Sequence, residues 1–206
     1  MSSPRVKVCG ICRAEDAELA VALGASAIGF IFWQQSPRYC DPGVAQAIAS
    51  RLPAPITTVG VFVDQPVSQV IAIADHVPLG AVQLHGNELI EDFDRVRQPL
   101  IKAVAVTESF VAEDVDRLPA GVTVLLDAHD PLRRGGTGRT IDWTTAAQVA
   151  GRRRTILSGG LHSGNVRDAI ARVRPHMIDV SSGVEAAPGV KDALKLQAFF
   201  AAVAAA

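Results

Sequence analysis

Short apolar runs rich in β-branched residues return eight times along the chain, each followed by a stretch with helical spacing. The strand-like runs lie at 5–9, 27–32, 57–62, 81–84, 100–104, 123–126, 155–157 and 177–180. Helical periodicity covers 14–23, 42–51, 66–76, 89–96, 108–117, 144–149, 165–173 and 192–203. Runs such as AIGFIF and TTVGVF are apolar on both faces, as strands covered on both sides must be, so the sheet is expected to be parallel and buried. Eight units of roughly 25 residues fit a closed barrel better than an open sheet. An open doubly wound sheet is the structural alternative, although it needs fewer strands at this length. No composition shift marks a linker, so the expectation is a single-domain α/β fold, a (β/α)8 barrel over residues 1–206.

Boundary residues agree with this division. Asp41 before Pro42 supplies an N-cap carboxylate ahead of a proline whose missing N–H is not needed in a first helical turn. Gly24 can take the left-handed conformation that ends a helix. Asp64-Gln65-Pro66 is expected to open the third helix in the manner of Asp41-Pro42.

With 49% hydrophobic and 20% charged residues the chain should fold throughout. Its formal charge of −1 gives no positive field for nucleic acid or anionic lipid, and Arg152-Arg153-Arg154 reads as a solvated loop. No apolar run approaches the roughly 18 to 20 residues that span a bilayer, and MSSPRVKVCG lacks the apolar core of a signal peptide. A cytoplasmic protein is expected, with neither nucleic acid nor membrane as partner. Three cysteines, Cys9, Cys12 and Cys40, argue against a disulfide framework at this size.

Catalytic groups of such barrels sit at the C-terminal ends of strands and in the loops that follow. The Cys9-Gly10-Ile11-Cys12 spacing could be a redox pair, half of a zinc site, or one working thiol with a neighbour. A zinc site needs a second ligand pair that the chain does not offer, and a thioredoxin-type pair belongs at a helix start in another kind of sheet. Cys9, which ends the first strand run, is therefore the thiol placed for chemistry. Asp127 follows the apolar run VTVLL, so partial burial could keep its carboxyl protonated as a general acid requires. The alternative is a cap. The loops SGGL and VSSGVE follow the seventh and eighth strand runs, where barrels of this type often hold phosphate on backbone N–H groups. Either loop alone could be a turn needing positive φ; together they favour phosphate. Arg38 could clamp a carboxylate, although spacing alone favours a surface arginine. His85 has no second ligand at metal spacing, and His76, His129, His162 and His176 are scattered. RRGGTGRT at 133–140 could be a mobile lid or a tolerated insertion.

Taken in order, KVCGIC, GFIFWQQSPRYC, VGVFVDQP, VQLHGNE, LLD, GGTGRTIDW, SGGLHSGNV and DVSSGVE resemble the phosphoribosylanthranilate isomerase family of (β/α)8 enzymes in tryptophan biosynthesis. The resemblance implies an Amadori rearrangement of N-(5-phosphoribosyl)anthranilate, a small-molecule phosphosugar, without cofactor or metal. It implies Cys9 as general base and Asp127 as general acid, Arg38 on the anthranilate carboxylate, and Gly159, Gly160, Ser182 and Gly183 as a phosphate cradle. Asp179 would orient sugar hydroxyls, and His85 lies near the pocket without an assigned role. To act as a base, Cys9 should have a pKa lowered from about 8.5 toward neutrality. Cys12 stands where the family usually has Thr or Lys, and a Cys9–Cys12 cross-link would abolish the base. A monomer is expected because a closed barrel leaves no edge strand. The competing readings are another phosphosugar barrel, using metal-binding His and Asp or a catalytic lysine, a role to which Lys7 and Lys102 are poorly suited, and a non-catalytic phosphosugar-binding barrel. A barrel that also acts on the aminoaldose of histidine biosynthesis would be expected to carry an aspartate in place of Cys9.

Overall fold

The computed structural model describes residues 4–107, 109–128 and 141–206. Eight parallel strands close on themselves in sequence order: β1 (Arg5–Cys9), β2 (Ala27–Ile31), β3 (Thr57–Phe62), β4 (Ala81–Leu84), β5 (Leu100–Val106), β6 (Thr123–Ala128), β7 (Thr155–Leu157) and β8 (Met177–Val180). Pairing of β8 with β1 completes the barrel and rules out the open sheet.

Helices α1 (Ala14–Ala22), α2 (Pro42–Ala49), α3 (Val67–His76), α4 (Trp143–Arg152), α5 (Val166–Val173) and α6 (Ala193–Ala204) accompany the strands. Asp41 caps α2 by accepting from the N–H groups of Gly43 and Val44, and Gly24 adopts φ 104° after α1. Asp64 differs from its expected role. It has φ 51°, and its Oδ1 accepts from Asn87 N at 2.6 Å, joining the loops after β3 and β4, while Pro66 precedes α3 without a side-chain cap.

The helices expected over 89–96 and 108–117 are also different: Ile90–Phe93 and Ala112–Arg117 form 3-10 turns. Their buried pairs, Ile90 with Phe93 and Ala112 with Val115, are spaced i, i+3. That spacing stacks side chains in a 3-10 turn, and neither segment has the continuing apolar face that holds a longer α-helix. Beyond β8, a short hairpin of β9 (Glu185–Ala187) and β10 (Val190–Lys191) leads into α6.

Ala27, Val59, Ala81, Ile101, Leu125, Ile156 and Met177 form an apolar layer inside the barrel. Strand side chains two residues apart share a face, so Gly29, Val61, Gln83, Asp127 and Asp179 also turn inward, nearer the C-terminal end. A Cβ at Gly29 would stand 2.9 Å from Cys9 Sγ and 3.2 Å from Lys7 Cε. Glycine here makes room for a lysine and a thiol on the adjacent strand. Outside the strands, a larger apolar cluster packs them against the helices. Among the described residues, no helix is long and apolar enough to cross a membrane.

Candidate active site

A cavity of about 480 Å³ opens at the C-terminal end of the strands, and its lining includes Cys9, Arg38, Gln83, His85, Asp127 and Asp179. Five residues expected from sequence thus meet in one place. Ser158 and Ser181 also line it, whereas their neighbours Gly159, Gly160, Ser182 and Gly183 lie outside its wall.

Cys9 is 5% exposed and Lys7, two residues earlier on β1, is fully buried. The Lys7 ammonium donates to Asp179 Oδ1 at 3.0 Å and to Gln83 Oε1 at 2.9 Å. Burial by itself would lower the Lys7 pKa, but Asp179 and Cys9 beside it hold it above its ordinary value. For Cys9, burial is the dominant influence and raises the thiol pKa above its ordinary value; Lys7 opposes this, Asp179 reinforces it and Lys191 opposes it. The expected shift toward neutrality is therefore reversed in the free protein, because a thiolate loses more by leaving water than one ammonium returns.

Cys12 packs elsewhere. Its Sγ faces the carbonyl oxygens of Arg38 at 3.4 Å and Tyr39 at 3.6 Å. A hydrogen bond from Cys40 lowers the pKa of Cys12 and raises that of Cys40. All three cysteines are free thiols. Iodoacetamide at pH 7 is therefore expected to modify half-exposed Cys12 before Cys9, and the Cys9 rate should climb as pH passes the ordinary thiol value of 9.0. Peptide mapping by mass spectrometry reads both; equal rates at pH 7 would show that Lys7 outweighs burial.

Asp127 is buried, with Oδ1 accepting from Ala128 N at 2.9 Å and Oδ2 lying 3.1 Å from His85 Nε2. His85 Nδ1 lies 2.8 Å from Gln83 Nε2. One polar chain thus crosses the barrel from Asp127 through His85, Gln83 and Lys7 to Asp179, whose Oδ2 accepts from Ser158 Oγ at 3.4 Å.

Arg38 is neither loose nor on the surface. Its Nε contacts Glu185 Oε1 at 2.9 Å and Oε2 at 3.0 Å, and its Nη2 donates to Oε2 at 2.8 Å. Lys191 Nζ donates to Glu185 Oε1 at 2.8 Å and to Cys9 O at 2.6 Å, tying the hairpin to the end of β1. Burial pushes the Glu185 pKa up, but Arg38 and Lys191 outweigh it and hold the carboxyl below its ordinary value. Glu185 occupies the side edge of the guanidinium and leaves the Nη1 end; among the described residues Nη1 has no hydrogen-bond partner.

After β7, Gly159 and Gly160 have φ 87° and 61°, and their N–H groups donate to no described residue. Ser182–Val184 forms a 3-10 turn after β8. A Cβ on Gly183 would collide with the Leu161 carbonyl oxygen, so the two loops touch through backbone. Gly183→Ala is expected to destabilise by about 1–3 kcal/mol and, on the expectation from sequence that these loops cradle phosphate, to raise KM. Thermal melts and steady-state kinetics test this; an unchanged Tm and KM would contradict the close approach. His129 and the 133–140 stretch lie outside the described residues.

The family model described as N-(5'phosphoribosyl)anthranilate (PRA) isomerase matches residues 6–202. An N-(5'-phosphoribosyl)anthranilate isomerase from Pseudomonas putida is 45% identical over 204 residues, covering 98% of both chains. The chain belongs to the N-(5'-phosphoribosyl)anthranilate isomerase family. It is a phosphoribosylanthranilate isomerase of the tryptophan pathway, as the resemblance implied. The solved isomerase from Thermotoga maritima superposes with a TM-score of 0.89 at 41% identity, covering 98% of this chain and 100% of that one. Another solved isomerase, with a TM-score of 0.85 and 39% identity over 98% of this chain and 100% of its own, was captured with reduced 1-(o-carboxyphenylamino)-1-deoxyribulose 5-phosphate. The 3-hexulose-6-phosphate synthase of Salmonella typhimurium, at 13% identity and a TM-score of 0.72, shares the fold alone.

Within this phosphoribosylanthranilate isomerase, sequence reasoning missed Glu185 and Lys191, set Lys7 aside, left Gln83 without a role, and took Ser158 and Ser181 only as members of the SGGL and VSSGVE loops. Parity offered a signal for two of them. Lys7 shares a strand face with Cys9, and Gln83 precedes His85 by two residues, so each points where the expected residue points. Among the described residues, no group of three or more His, Cys, Asp or Glu side chains is arranged to hold a metal.

Proposed function

We propose that this isomerase converts N-(5-phosphoribosyl)anthranilate into 1-(2-carboxyphenylamino)-1-deoxyribulose 5-phosphate with Asp127 as general acid and Cys9 as general base. The observation that carries this reading is that the two groups open onto one cavity together with Arg38. Asp127 gives a proton to the ribose ring oxygen as the C1–O bond breaks, leaving a Schiff base. Cys9 removes the proton from C2, and the resulting enolamine tautomerises to the ketone.

Burial raises the Cys9 thiol pKa, whereas proton abstraction needs the thiolate. Lys7, beside the sulfur, is the cation that stabilises it. The end-on fork of Arg38, Nη1 with Nη2, takes the anthranilate carboxylate while Glu185 fixes the plane of the guanidinium. Gly159, Gly160, Ser182 and Gly183 offer backbone N–H groups to the phosphate. Support for a ligand of this class comes from the relative solved with reduced 1-(o-carboxyphenylamino)-1-deoxyribulose 5-phosphate.

All of these groups come from one chain, so we take the monomer as the proposed working unit, although the Thermotoga maritima isomerase is described as dimeric. The proposed setting is the cytoplasm. The test is the loss of fluorescence of phosphoribosylanthranilate generated in situ, with EDTA present. Turnover by the wild type supports cofactor-free isomerisation; a folded protein that binds the product without turning substrate over would sink it.

A further inference from the structure

His85 has no assigned part in the reaction, yet its surroundings restrict it more than those of any other histidine described. The restriction begins at Lys7. An ammonium can only donate, and Lys7 Nζ lies 2.9 Å from one end of the Gln83 amide, which must therefore be the carbonyl oxygen. Lys7 is itself held by Asp179 at 3.0 Å with no exposure to solvent, so a flip of the amide would set NH2 against NH3+ inside the barrel. The other end of the amide, which also only donates, faces His85 Nδ1 at 2.8 Å. Nδ1 must then be the unprotonated nitrogen. The single ring proton sits on Nε2, directed at Asp127 Oδ2 at 3.1 Å.

We propose that Gln83 is a positioning residue for the isomerase: anchored by Lys7, it locks His85 as the neutral Nε2–H tautomer, and His85 thereby orients the Asp127 carboxyl toward the substrate. The inference rests on Asp127 being the acid of the proposed reaction. Two hydrogen bonds hold that carboxyl, Ala128 N–H on Oδ1 and His85 Nε2–H on Oδ2. With the opposite tautomer, a lone pair on Nε2 would face Oδ2. The carboxylate would then be turned away, or its proton would be drawn to the imidazole instead of to the ring oxygen. The arrangement separates roles: Asp127 carries the mobile proton, and His85 directs it without exchanging one.

The test has a spectroscopic arm and a kinetic arm. In long-range proton–nitrogen correlation spectra of protein labelled at histidine nitrogens, with the His85 signals assigned by their loss in His85→Gln, wild type at pH 7.5 is expected to show protonated Nε2 and bare Nδ1. A protonated Nδ1 in the wild type would overturn the proposal. In Gln83→Leu, which keeps an apolar-compatible volume, the tautomers are expected to mix. Its kcat should fall by about 10- to 100-fold, the scale on which losing the partner that orients a metal-ligating imidazole lowers activity, while KM changes little. In Gln83→Glu a carboxylate that can only accept faces Nδ1, so a proton should appear there, with a comparable loss of kcat. Wild-type kcat in Gln83→Leu despite mixed tautomers would also overturn the proposal. Should Asp127→Asn keep full activity, the acid assignment falls, and the nitrogen spectra still report on the lock independently.

Discussion

Cys9→Ala and Asp127→Asn are each expected to lower kcat by about 10²- to 10⁴-fold, the range in which a positioned acid or base contributes, with little change in KM. The split follows from the geometry. In the proposed binding mode Arg38 and the two glycine loops hold the charged ends of the substrate, and neither Cys9 nor Asp127 belongs to those subsites. In the proposed reaction, alanine at position 9 has no group to take the C2 proton; asparagine at 127 has no acidic proton to give, and its single carbonyl oxygen can accept from Ala128 N–H or from His85 Nε2–H but not from both. Cys9→Ser should fare no better than alanine, because a buried hydroxyl is far less acidic than the thiol that Lys7 assists.

Acid and base act in sequence on one molecule, so the double variant should be little worse than the poorer single one. Steady-state kinetics on the four proteins, with circular dichroism to confirm folding, measures this. Full turnover by Cys9→Ala would remove the thiol from the mechanism. Full turnover by Asp127→Asn would remove the acid and leave His85 without the role inferred for it.

Asp179→Ala should be the most damaging replacement for stability, by about 3–5 kcal/mol. It would leave the Lys7 ammonium inside the barrel without its counter-ion, at a site with no exposure to water. The pair is not simply an adhesive, since exchanging both partners for apolar side chains of similar size is often neutral. Lys7→Met/Asp179→Leu is therefore expected to recover most of the stability in denaturant unfolding and to remain almost inactive, because the cation beside Cys9 is gone. If the double variant were instead as active as wild type, Lys7 would have only a structural part.

The sign of the pH dependence follows from the raised Lys7 pKa. The folded state binds this proton more tightly than the unfolded chain, so the stabilisation is fully present below the ordinary lysine value of 10.5 and is lost as pH rises through the folded value. Across neutral pH, this contribution should be flat.

Much of the molecule was legible before any coordinates. The eight strand runs lie within a few residues of their expected ends because burial on both faces demands an unbroken apolar stretch, which is visible in composition alone. The places for Cys9, Asp127 and Asp179 follow from the rule that strand ends carry chemistry, and Arg38 became legible only through resemblance. The two 3-10 turns were misread as helices because an i, i+3 pair of buried residues satisfies either periodicity over so short a span.

What the sequence determined by itself is the barrel, the thiol and the carboxyl at its mouth, and the family, since each depends on local pattern and ordered motifs. What only the tertiary structure decided is how those groups are tuned. Lys7 meets Asp179 across 172 positions and Gln83 across 76. Arg38 meets Glu185 across 147. Burial then reverses the expected shift at Cys9. A pKa, a tautomer and the free edge of a guanidinium depend on distance and on exclusion of water in three dimensions, and separation along the chain carries neither.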